Sequence, residues 1–183
     1  MTLDTEQPTV TEDLAERLAK ELASALKRKP SDESLLAGAT RVLAPRLPAV
    51  RAAMLEALEV LTKRGSVERP LYRALVRGLA EAGELGAAPL ITLALSREDV
   101  GGLPTIAAAA CLEAPELSEP LARIVTRGQA HLAFAAEMAR VARGQSNGLH
   151  LAGIAPKIKE AHRLDLCSEL VVPLLHCERT LPP

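Results

Sequence analysis

Aromatic residues are nearly missing from this chain: across 183 residues there is one Tyr, Tyr72, one Phe, Phe134, and no Trp. A surface that reads nucleic-acid bases by stacking them on aromatic rings therefore has almost nothing to be built from. β-branched and aromatic strand formers are correspondingly scarce, which argues against a sandwich or barrel. Every apolar run is interrupted by Arg, Glu, Gly or Pro before it reaches the roughly 20 residues that cross a bilayer. Residues 1–10 are polar and acidic and do not read as a signal or transit peptide.

Catalytic signatures are equally thin. Gly101-Gly102 and the glycines from Gly144 to Gly148 lack the spacing and the Lys-Ser/Thr of a phosphate-binding loop. There is no His-Glu-x-x-His and no Gly-x-Ser-x-Gly elbow. Cys111, Cys167 and Cys177 make an odd count at spacings that match no zinc or redox motif, and a reducing cytosol is the expectation. His162, Cys167, His176 and Cys177 cluster in sequence, but neighbouring positions 176 and 177 diverge by about 100° on a helix, so a common metal centre is not expected. Cys167 reads as a small core residue, and His131 and His150 as isolated structural or exposed histidines. The carboxylate pairs Glu98-Asp99 and Glu116 with Glu119 read as solvated. The sequence thus predicts no catalytic residue, no metal and no cofactor.

What the chain has is Leu and Ala, with 48% hydrophobic residues overall. Pro and Gly punctuate it into about ten helical stretches. The first, 11–29, places Leu14, Leu18, Leu22 and Leu26 on one face, with Thr11 as N-cap, Lys27 to Lys29 at the negative end and Pro30 as the stop. The second starts after Ser31 and runs through Leu35, Leu36, Ala39 and Leu43. The third, 49–64, buries Val50, Met54, Leu58 and Leu61, with Gly65 just past its end. Further helices are predicted at 71–82, 85–95, 104–112, 116–127, 129–143, 148–162 and 165–175. A basic residue precedes Gly at Arg64-Gly65, Arg77-Gly78, Arg127-Gly128 and Arg143-Gly144. Three of these fall where a helix should stop: Arg complements the C-terminal dipole, and Gly enters the left-handed region without strain. Gly78 lies inside a helical pattern.

Short connections force successive helices to run antiparallel. Hairpin starts near residues 11, 48, 85, 115 and 147 recur within the ~20–50-residue window of helical repeats. The fold class predicted is all-α, as stacked antiparallel helical hairpins over 11–179, either as an α-solenoid or as a compact bundle. Residues 1–10 and 180–183 are expected to be disordered tails.

The stretch Val42-Leu43-Ala44-Pro45-Arg46-Leu47-Pro48-Ala49-Val50-Arg51-Ala52-Ala53-Met54-Leu55-Glu56-Ala57-Leu58 resembles a HEAT repeat, in which a first helix ends near a Pro and Val-Arg opens an Ala/Leu-rich second helix. A fainter echo runs from Leu121 through Arg123 and Val125 to Ala136 and Met138; the turn lacks the family's usual Asp. The resemblance implies a right-handed stack of helix pairs whose concave face binds proteins, less often nucleic acid.

Charge is polarised. Residues 20–77 hold twelve Lys and Arg against six Asp and Glu, although the whole chain carries a net charge of only −1. Arg69, Arg73 and Arg77 recur every four residues and so share one helix face; with Arg51, Lys63 and Arg64 they form the candidate partner-binding basic face. The function expected is a non-catalytic protein-interaction, scaffold or adaptor module in the cytoplasm, its partner another protein with an acidic surface. A nucleic-acid-binding or DNA-glycosylase-like role on the same basic face is the alternative.

Overall fold

The computed structural model describes residues 17, 20–22, 24–26, 37–40, 48–65, 70–97 and 102–176. Residues 1–10 and 180–183, Arg69, the Glu98-Asp99 pair and Cys177 lie outside the described residues. Among the described residues there is no strand, and the chain is all-α.

Helix α1 spans Pro48–Lys63 and α2 spans Pro70–Glu81. A 3-10 turn at Leu85–Ala87 leads into α3, Ala88–Ser96, and α4 is Leu103–Cys111. A second 3-10 turn, Pro115–Leu117, opens α5, Ser118–Arg127, and α6 is Ala130–Ala142. Short α7, Leu149–Ile154, gives way to 3-10 turns at Ala155–Lys157 and Glu160–His162. The chain then runs through α8, Arg163–Leu166, a π-helical turn, Cys167–Val171, and α9, Val172–His176.

The helix directions follow from contacts between their ends. Arg51, near the start of α1, pairs with Glu84, just past the end of α2, so these two helices are antiparallel. Gln145, past the end of α6, donates to Ser118 at the start of α5, which makes that pair antiparallel too. Helices two apart run parallel. Tyr72 at the start of α2 meets Thr105 at the start of α4, and Arg97, after α3, donates to the carbonyl of Thr62 near the end of α1. α1, α3 and α5 pack in one row and α2, α4 and α6 in another, while the π-helical turn and α9 lie against α4.

Helix α4 is the hub, and its sequence shows why. Ile106 and Ala107 to Ala110 are all buried. A helix apolar on all sides belongs inside, and alanines let α2, α3, α6 and the C-terminal segment approach it closely. Around it Val50, Met54 and Leu58 of α1, Leu75 and Leu79 of α2, Ile91 of α3, and Leu121 of α5 are each 0% exposed. Gly78 is buried inside α2.

Two expectations are corrected. The single helix expected over 148–162 breaks at Pro156, which has no N–H to give and whose ring crowds the preceding turn; Ile158 and Lys159 are extended. The Arg-Gly stops also do not share one cause. Gly65 and Gly144 are left-handed, with φ of 69° and 68°. Gly128 is extended at φ −73° and ψ 163°; there glycine is needed for space, because a Cβ would sit 2.6 Å from the Ile124 carbonyl oxygen.

Candidate functional site

The i, i+4 spacing of Arg73 and Arg77 brings both guanidinium groups to one groove of about 370 Å³, between α2, α4, the π-helical turn and residues Ala37 and Gly38. Its floor is made of Ala74, Ala107 and Ala108, side chains too small to fill the space above them. Its rim is charged but balanced. Arg77 donates through Nε to Glu81 Oε1 at 2.6 Å, an intrahelical pair that holds the guanidinium along α2. Arg73 lies 3.7 Å from Glu169 of the π-helical turn, and these side chains are 45% and 35% exposed. Two guanidinium groups and two carboxylates therefore face a small apolar floor, with the looser pair at the more exposed end.

The remaining basic candidates do not converge on this groove. Arg51 is a quarter exposed and pairs with Glu84 at 3.9 Å. Lys63 donates to Glu59 at 2.5 Å, where both side chains are well exposed, and Arg64 is exposed past the end of α1. Arg69 lies outside the described residues. Of the six-residue basic face, Arg73 and Arg77 line this groove, and Arg51, Lys63 and Arg64 are not among its lining residues.

Cysteine behaves differently from the sequence reading. Cys111, at the end of α4 and on the groove wall, is disulfide-bonded. That departs from the fully reduced thiols that a reducing cytosol implies. Cys167 is free and exposed, not a core residue. Leu166, Leu170 and Leu174, four apart, take the buried face of the C-terminal segment and leave position 167 turned to solvent.

His131 is not isolated. Its ring stacks on that of His162 at 4.0 Å between centroids and 14° between planes. Sequence reasoning missed this contact because it joins the start of α6 to the segment after Pro156, and no short-range spacing encodes it. Burial, and then the neighbouring His162, hold His131 below the usual histidine range, with Asp165 acting in the opposite direction. Glu116 and Glu119 are solvent-exposed, with Glu119 paired to Arg123, and His150 is exposed.

Among the described residues no helix is long and apolar enough to cross a membrane, and no three of His, Cys, Asp or Glu gather to hold a metal ion. No protein-family model, curated protein or solved structure matches this chain.

Proposed function

We propose that this chain is a non-catalytic protein-interaction module, an adaptor or scaffold built as a HEAT-like α-solenoid, which receives an acidic segment of another protein at the α2/α4 groove. The observation that carries the reading is the 3.7 Å pair of Arg73 and Glu169 at the exposed end of an alanine-floored groove. An exposed ion pair at that distance contributes at most about 1 kcal/mol. A partner carboxylate can therefore take the place of Glu169 at little cost, while an apolar side chain beside it fills the space over Ala107 and Ala108. The parallel rows α1, α3, α5 and α2, α4, α6 support the solenoid part of the proposal.

The nucleic-acid reading has less behind it. Arg51, Lys63, Arg73 and Arg77 each have a glutamate partner, so the field offered to a phosphate backbone is small. Tyr72 is 1% exposed and unavailable for stacking on a base. A cytoplasmic location is part of the proposal, and the disulfide at Cys111 makes the redox state of the purified chain its first check.

The test uses fluorescence anisotropy with a labelled Glu/Leu-rich peptide and, in parallel, an equally long DNA duplex. Saturable peptide binding that weakens in Arg73→Glu but persists in Arg123→Glu, a change on exposed α5, supports the reading. Equal binding by both variants removes the groove from consideration, and preferential duplex binding with a steep salt dependence favours the nucleic-acid alternative.

A further inference from the structure

Pro156 ends the helical run after α7, and the chain continues through extended Ile158 and Lys159. Ile158 is buried, which pins this short extended piece to the body of the protein. Lys157, the last residue of the 3-10 turn, and extended Lys159 flank Ile158 and are both exposed. The two lysines line one recess of about 410 Å³, together with Gln129, Ala130, His131 and His162. It shares no lining residue with the α2/α4 groove.

Among the described residues, no carboxylate lines the recess. Two lysines and two imidazoles face it, while Asp165, outside the lining, stands 4.0 Å from His162 Nδ1. Glu160 and Arg163 on the same segment are exposed and opposite in sign. Stacked imidazoles 4.0 Å apart cannot both carry a proton without mutual repulsion unless an anion lies against them.

We propose that this recess binds a phosphate-class dianion, held between the stacked imidazoles of His131 and His162 and the ammonium groups of Lys157 and Lys159. The anion offsets the charge of a protonated His131 ring, so binding draws a proton onto His131. In the free protein His131 is held below the usual histidine range by burial and then by His162, with Asp165 opposing. A bound dianion raises it again, and linkage fixes the sign. Affinity increases as pH falls through the raised bound-state pKa, and the gain is complete below the lowered free-state one.

The experiment follows the histidine ring resonances of the full chain by NMR from pH 8 down to pH 6. It titrates inorganic phosphate, sulfate and a phosphoserine peptide in separate arms. Sulfate has no proton to exchange in this range, so a stronger response at lower pH in that arm reports the protein's own protonation. The expected result is a saturable shift of His131 and His162 with exposed His150 unmoved, and about a tenfold loss of affinity in Lys157→Ala/Lys159→Ala. Tighter binding of the peptide than of the free ion assigns the site to phosphate carried on another protein, and the reverse assigns it to the free ion. Both lysines are exposed, so the double variant is expected to fold, and His162→Asn is the second probe. The proposal is overturned if no anion moves His131 and His162, or if the double lysine variant and His162→Asn both bind as the wild type does.

Discussion

Arg143, just past the end of α6, donates through Nη2 to the carbonyl oxygen of Ala114 at 2.7 Å, twenty-nine positions earlier in the chain. Its Nη1 also serves Leu112 and, at 2.9 Å, Ala109. A single planar fork thereby satisfies carbonyls left over where α4 ends and the chain turns towards α5. Hydrogen bonds from a charged donor are stronger than neutral ones, and three orphaned acceptors are costly. Arg143→Ala is expected to cost about 2–4 kcal/mol. Arg143→Lys should recover only a minor part, because an ammonium cannot span the fork. Urea unfolding midpoints check both, and a loss below about 0.5 kcal/mol for Arg143→Ala would remove the bridging role.

Glu137 is fully buried on α6, 3.0 Å from Arg140 Nη1, and accepts a 2.5 Å hydrogen bond from the Ser146 hydroxyl. The carboxylate links the helix to the turn that follows it. Glu137→Ala removes the acceptor of Ser146 and the partner of a quarter-exposed Arg140, and is expected to cost about 1–3 kcal/mol. Glu137→Ala combined with Arg140→Ala should cost clearly less than the two single changes added together. Strict additivity in chemical denaturation would show that the pair is not coupled.

Much of the helical framework was legible because it is local. Val50, Met54, Leu58 and Leu61, expected on the buried face of the third helix, are all buried. The same periodicity put Arg73 and Arg77 on one face, and both line the groove. What the periodicity could not hold was the counter-charge: Glu169 reaches Arg73 only because the C-terminal segment doubles back over α4. The stack of His131 on His162 was illegible for the same reason, being a product of packing. The break at Pro156 was different. Its signal stood in the sequence, as a Pro inside the expected helix over 148–162.

Tyr72 is buried, and its hydroxyl meets Thr105 Oγ1 at 3.2 Å. Burial raises its pKa above the ordinary 10.0, while the hydrogen bond to Thr105 works against that rise. The folded state therefore keeps this proton to higher pH than the unfolded chain does. Stability should be unaffected below the unfolded pKa and should fall as pH rises past 10.0. Tyr72→Phe is expected to cost about 1 kcal/mol at neutral pH and to flatten the alkaline decline. Thermal melts between pH 8 and 11 on both proteins test the sign, and an unchanged decline in Tyr72→Phe would assign it to other groups.

Gly65 and Gly128 both follow an arginine at a helix end, yet they should respond to mutation in opposite ways. At Gly65 no neighbouring atom lies within 4 Å of a new Cβ, but φ is 69°. The whole penalty for Gly65→Ala is then backbone strain, about 1–2 kcal/mol, and Gly65→Asn should recover much of it because Asn tolerates the left-handed region. At Gly128 any L residue fits the extended backbone, but its Cβ would press on the Ile124 carbonyl oxygen, a main-chain atom that accepts the Gly128 amide at 2.7 Å. Gly128→Ala is expected to cost about 1–3 kcal/mol by displacing the last turn of α5. Gly128→Asn should offer no recovery, since conformational tolerance does nothing for a steric contact. Four urea midpoints decide the matter, and recovery by Asn at both sites would mean that Gly128 is held by φ after all.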